Sequence, residues 1–382
     1  MAEDTRTATP AGANAAQGAL PRRGVFWHFA ARSLKLNRSR TIVSIIGVAL
    51  SCALITAIFT SVATLYEGLL KAEIVTEGAW QVELVNVPED EIDVVHADSR
   101  VTRSYDRISY GDAIMPKSFE GYWGRYLSVQ EWPTADKVKG LKPLPHIAEG
   151  RAPQAPDEIV LTHNLKGLTV EDGSWLYDSL PTSGKDDDVP RASWDGSLEI
   201  GSVIDLALGE RTFVDAESGQ EAPCLYDESL YTTESATGDV ISEYLANPGE
   251  LKSYKVVGFY APEGVRKDDV WGRMGPGHLG FVSSPEVPVR TTSIYLTTNL
   301  KSRTEIDGLI EDYTGNPHAV FNGGGNRGDI ENMEGQTGAY SHDSLMRYQG
   351  MTDDRSIWGT LYTLAFIPVS YTHLTLPTNR EV

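Results

Sequence analysis

The sequence predicts a membrane protein: one N-terminal transmembrane helix with a stalk, an α+β extracytoplasmic domain, and a truncated second transmembrane helix. Three observations lead there. Residues 41–66 contain no charged side chain. Short runs of alternating polarity, the period of a half-buried strand, recur after Trp80. One capped amphipathic helix lies among them, near residue 302.

The elements follow in chain order. Residues 1–24, rich in Ala, Gly and Thr, read as a disordered cytoplasmic tail. Over 25–40, "GVFWHFAARSLKLN" alternates bulky apolar with basic side chains, which suits an elbow helix lying in the membrane interface. The uncharged stretch 41–66 makes a helix of about 39 Å against a hydrocarbon core of about 30 Å. It starts too late and runs too long for a cleavable signal peptide. Arg32, Lys35, Arg38 and Arg40 precede it and the first charge beyond it is Glu67, so the positive-inside rule puts the N-terminus in the cytoplasm. Within it Ala49, Ala53, Ala57 and Ser61 recur every four residues, a helix-packing face that lets another helix approach closely. Small residues are also common in any membrane helix.

"EGLLKAEIVTEG" extends the helix as a stalk over 67–79, with Gly78 placed to end it. The domain covers 80–340. In it "WQVELVNV", "EIVLTHN", "SVIDLALG", "SYKVVGFYA" and "TSIYLTTN" read as strands with one buried face. Ser302 and Glu305 fit a capping box; Ile306, Leu309, Ile310 and Tyr313 follow at helical spacing, and Gly315 supplies the stop. Residues 165–250, rich in Gly, Ser, Asp and Pro, read as a loop-rich insertion. A returning stalk is expected over 341–355 and the start of a second span over 356–367, whose 12 residues make only about 18 Å of helix. Residues 368–382 resemble one reading frame of a transposon mosaic-end sequencing adapter, matching from Val369 to Thr378, and are set aside from fold reasoning.

Charge narrows the partners. The net charge is -20, but residues 1–40 carry +5, leaving -25 on the rest. A phosphate backbone needs clustered Lys and Arg, so nucleic acid is not expected. Cys52 and Cys224 lie in different compartments of this reading and should not pair. No Walker A loop is present. "GPGHLG" at 275–280 holds a proline and lacks the flanking strand and helix of a dinucleotide site. Asp186, Asp187 and Asp188 lack EF-hand spacing, and the RGD at Arg327–Asp329 has little specificity. The eight histidines form no HExxH pair, and no GxSxG elbow or papain-type cysteine context occurs. No catalytic residue, cofactor or metal site is expected.

Several stretches resemble, in order, the first part of an FtsX-like, MacB-type ABC transporter permease. "ARSLKLNRSRTIVSIIGVALS" is similar to that family's basic elbow entering its first membrane helix, and "TEGAWQVEL" to the passage from stalk to core domain. "EGRAPQAPDEIVL" resembles its GRxP segment, in which Gly150 and Pro153 would shape a turn, Ile159 and Leu161 would face the core and Arg151 would pair a carboxylate. "SHDSLMRYQGM" resembles the returning stalk. The resemblance implies a subunit of a bacterial cell-membrane transporter, multi-pass when intact, with its main domain extracytoplasmic. It implies as partners a separate ABC ATPase subunit, a second permease copy or half, and membrane lipid. Force would pass through Glu67 to Gly78 and Ser341 to Arg355. The work implied is export or sensing of a peptide, lipid-linked compound or lipoprotein, or control of a cell-wall enzyme. A single-pass anchored receptor or binding module is the alternative; an anchored hydrolase is the enzymatic one.

Overall fold

A computed structural model describes residues 27, 32, 35, 38–119, 125–172, 186, 188–214, 221–223, 242–261, 278–284, 286–315 and 337–351. The chain divides into two units, residues 1–64 with 355–382, and Leu65–Asp354.

Helix α1, Arg38–Thr76, is a single helix of 39 residues, about 58 Å long at 1.5 Å per residue. It is long and apolar enough to cross a membrane, and none of its side chains is buried. The hydroxyls of Ser51, Thr56, Thr60 and Thr64 each donate to the carbonyl four residues back. These four hydroxyls are thus satisfied within the helix itself.

The second unit holds a mixed α/β domain. Its strands are β1 (Val82–Val85), β2 (Val101–Ile114), β3 (Tyr126–Glu131), β4 (His146–Gly150), β5 (Glu158–Thr162), β6 (Ser193–Trp194), β7 (Val203–Leu206), β8 (Glu210–Val214), β9 (Glu221–Pro223), β10 (Ser242–Ala246), β11 (Lys252–Ala261), β12 (His278–Val282), β13 (Thr291–Thr298) and β14 (Gly338–Ser341). Its helices are α2 (Glu89–Ala97), α3 (Ala135–Val138), α4 (Arg303–Thr314) and α5 (Asp343–Tyr348).

Eleven strands form one mixed sheet in the order β14-β1-β13-β2-β3-β12-β5-β11-β7-β6, with β4 also paired to β11. The strands β10, β8 and β9 form a second, three-stranded sheet. Strand β2 joins two cores: Val101–Ser109 pairs with β13, and Ser109–Ile114 pairs with β3 after a bulge. In one core Val95, Ile306, Leu309, Ile310 and Met346 from the helices cover Val82, Leu84, Ile294 and Leu296. In the other Tyr110, Leu127, Ile159, Leu161, Val256 and Phe259 pack with Trp194 and Ile204.

The capping box of α4 is present: Ser302 Oγ accepts from the Glu305 N–H, the Glu305 carboxylate accepts from the Ser302 N–H, and Gly315 ends the helix left-handed at φ +73°. Arg151 pairs with Glu158, its Nη1 2.7 Å from Oε2. Gly150 takes φ +80°, and a side chain there would strike the Val257 carbonyl, so only glycine lets β4 lie this close to β11.

Two expectations need correction. Strands β1, β5 and β13 are buried along both faces, not one. Their polar residues, such as Glu83 and Ser293, face a hydrogen-bonded layer in place of water. Residues 165–250 are also more than loop, since β6 and β7 extend the main sheet and β8 to β10 form the small one. Of these only β7 lies in a run the sequence marks, "SVIDLALG"; the others are too short for periodicity to show.

Candidate functional site: the junction of helix and domain

The pairing of β1 with β14 sets the site. These strands run antiparallel with Val82 opposite Ser341, so the residues that enter the domain lie beside those that leave it. The His342 N–H donates to the Gln81 carbonyl at 2.9 Å. Helix α1 ends at Thr76, and Gly78 then turns at φ +100° with its Cα so close to the Leu141 carbonyl that a Cβ would stand 2.0 Å from the oxygen.

Beyond that turn Trp80 stacks on the His342 ring at 4.5 Å and 22°. It meets Tyr295 edge-on at 5.4 Å. Its indole N–H donates to the Glu77 carbonyl at 2.9 Å. Lys142 lies over both aromatic rings, its Nζ 5.5 Å from that of Trp80 and 5.0 Å from that of Tyr295. Such cation–π and edge contacts each add roughly 0.5–1.5 kcal/mol.

His342 is buried. Its Nδ1 lies 2.9 Å from the Trp80 carbonyl oxygen and its Nε2 3.0 Å from Glu73 Oε1, so it touches both the end of α1 and the first residues after it. Tyr66 of α1 meets Tyr348 of α5 edge-on at 6.1 Å.

A row of polar side chains crosses the strands beneath. Glu83 stands opposite Tyr295, and Tyr295 opposite Tyr105, whose ring it stacks on at 5.9 Å. Arg107 closes the row: its guanidinium donates to the Tyr295 hydroxyl at 2.6 Å and to Ser293 Oγ at 2.9 Å, and pairs with Glu83 at 2.8 Å. Burial works against the Arg107 charge, but Tyr295 and Glu83 beside it prevail and hold its pKa above the usual arginine value. Burial raises the Tyr295 pKa as well, so the hydroxyl stays protonated.

Gln81 ties the remaining ends. Its Oε1 accepts from the Thr298 N–H at 2.7 Å, and its Nε2 donates to Gln349 at 2.9 Å. Asp343 accepts from Ser341 Oγ at 2.7 Å and pairs with Arg303 of α4.

The residues read from the sequence fall as follows. Arg32 and Lys35 are helical and exposed, as are Arg38 and Arg40 at the start of α1. Ala49, Ala53, Ala57 and Ser61 form an exposed row on α1. Glu67 pairs with Lys71 one turn on, at 2.7 Å, exposed to solvent. Gly78 and Ser341 both belong to the junction. Ser341 ends β14 inside the sheet, so the described part of the returning segment is a strand end followed by the six-residue helix α5. Arg355, the start of a second span at 356–367, Cys224 and Arg327–Asp329 lie outside the described residues. Sequence reasoning missed Glu73, Trp80, Gln81, Glu83, Arg107, Tyr295 and His342, which only strand pairing brings together. The one local signal was a Gln and a Glu inside the otherwise apolar "WQVELV".

Buried rings and bidentate polar contacts fix the chain's entry and exit to each other and to the sheet. Among the described residues no three His, Cys, Asp or Glu side chains converge as metal ligands. No protein-family model and no curated protein matches this chain.

Proposed function

We propose that the chain is the N-terminal part of an ABC transporter permease subunit that couples ATP hydrolysis by a separate ATPase to extracytoplasmic work by mechanical transmission. The observation that carries this reading is that α1 runs from Arg38 to Thr76 without a break and that Glu73, near its end, meets the buried His342, which Trp80 covers. A stiff helix seated in a packed socket passes rotation and tilt to the sheet, where a flexible linker would absorb them. The basic residues before α1 and the order of the resembling stretches support the same assignment. The work would be export or sensing of a peptide, lipid-linked compound or lipoprotein, or control of a cell-wall enzyme. Glu67 to Gly78 carries the motion, the exposed row Ala49, Ala53, Ala57 and Ser61 packs on further helices, and a second permease copy or half completes the membrane unit.

The experiment is to isolate the full-length protein from native membranes, identify co-purifying ATPases, and insert Gly-Gly between Lys71 and Ala72. The expected outcome is a bound ABC ATPase whose nucleotide-dependent change in the domain, read by hydrogen exchange, is lost in the insertion variant. Isolation without any ATPase overturns the reading.

A second reading, a single-pass anchored receptor or binding module, is favoured by one observation. Among the described residues a single helix is long and apolar enough to cross a membrane. Full-length protein that binds an extracytoplasmic ligand and no ATPase is the outcome it expects.

A further inference from the structure

Both ring nitrogens of His342 face acceptors. Nδ1 is 2.9 Å from the Trp80 carbonyl oxygen and Nε2 is 3.0 Å from Glu73 Oε1. A carbonyl only accepts, so Nδ1 carries a hydrogen. A neutral imidazole then has none left for Nε2, which would meet an ionised Glu73 lone pair to lone pair. The contact closes only when one further proton is present, on the ring or on the carboxyl. We propose that Glu73 and His342 form a proton-dependent latch between the end of α1 and the segment leaving β14, closed when the pair holds that proton and released when it is lost.

The surroundings suit the role. The His342 side chain is only 7% exposed, so water does not readily replace Glu73 as its partner. Trp80 covers one ring face at 4.5 Å, a position that favours a cationic imidazole. The other charged groups nearby are already engaged. Lys142 lies over the Trp80 and Tyr295 rings. Asp343, next in the chain, is held by Ser341 and Arg303, and Arg107 and Glu83 pair with each other beyond Tyr295. Glu73 from α1 is the carboxylate that meets the ring. Because closure takes up a proton, lowering the pH tightens the junction and raising it loosens the junction.

The latch rests on reading the junction as the mechanical seat, but its test needs no partner. Full-length protein in lipid nanodiscs is followed by hydrogen exchange, expressed as protection factors so that intrinsic chemical rates divide out. For the wild type, protection across residues 66–81 and 338–351 is expected to fall roughly threefold or more between about pH 5.5 and about pH 8. In Glu73→Gln an amide donates to Nε2, so a neutral ring closes the contact and protection stays high at both pH values. In His342→Ala protection is low throughout; should that variant fail to fold, wild type against Glu73→Gln decides. A flat wild-type profile, or a Glu73→Gln profile as steep as the wild type, overturns the latch. A pH-dependent latch in a protein that binds no ATPase leaves the latch standing and removes the transport reading.

Discussion

At Arg107 a single side chain holds three strands together, since it reaches Glu83 of β1 and both Ser293 and Tyr295 of β13 from its own place on β2. Replacing it with methionine keeps the bulk but strands the Glu83 carboxylate in the interior. Arg107→Met is expected to cost about 3–5 kcal/mol in denaturant unfolding, and the double variant with Glu83→Gln to recover part of that. Two part-buried carboxylates set the acid limit. The Arg100 hydrogen bond holds Asp98 down to about 2, and the Arg151 hydrogen bond does the same for Glu158. A depressed carboxylate adds stability that is present above its unfolded value of about 4 and is lost as pH falls toward the folded one. Melting temperature should therefore decline from about pH 4.5 to about pH 2, less steeply in Asp98→Asn. His278 acts earlier: burial lowers its pKa to about 4, so the folded state resists protonating it and stability declines as pH falls from about 6.5. That slope opposes the latch, which is why the latch needs a local readout and not a global melt.

Among the elements, α4 shows what a sequence can carry on its own. Its cap, apolar spacing and stop are all local, and each stands where the sequence puts it. Ser302→Ala removes the cap acceptor for the Glu305 N–H, with an expected loss of about 1 kcal/mol in unfolding and faster exchange confined to the first turn of α4. Helix α1 was legible for a similar reason, because a long uncharged run needs no partner to be recognised. Strand β2 was not. Arg103, Asp106 and Arg107 break its alternation, and their charges are accommodated only by partners on β1, β13, α2 and the turn at Lys139. Helix α2 escaped likewise, since its acidic first turn, Glu89 to Glu91, looks like solvated loop until Val95 is seen packed on the sheet. The junction was half legible: Gly78 and Ser341 were marked by their place in the chain, whereas His342 owes its meeting with Glu73 to antiparallel pairing across more than 250 residues, which no local pattern encodes.

For the whole molecule, charge and topology make one claim together. The basic residues before α1 lead us to expect its N-terminus inside and the domain outside the cell, if α1 spans the membrane. Val94 is exposed on α2. In a Cys224→Ser background, Val94→Cys should react with a membrane-impermeant maleimide on intact cells, while Cys52, on the apolar part of α1, stays silent; reaction only after permeabilisation would reverse the orientation. Strand β2 adds a consequence for dissection. Its first residues belong to one core and its last to the other, and β13, which completes the first core, follows β11 and β12, which complete the second. The chain therefore visits the two cores by turns, and no single cut yields two folded halves. A protease that trims the surface should leave one resistant body of interlocked segments, released together or not at all.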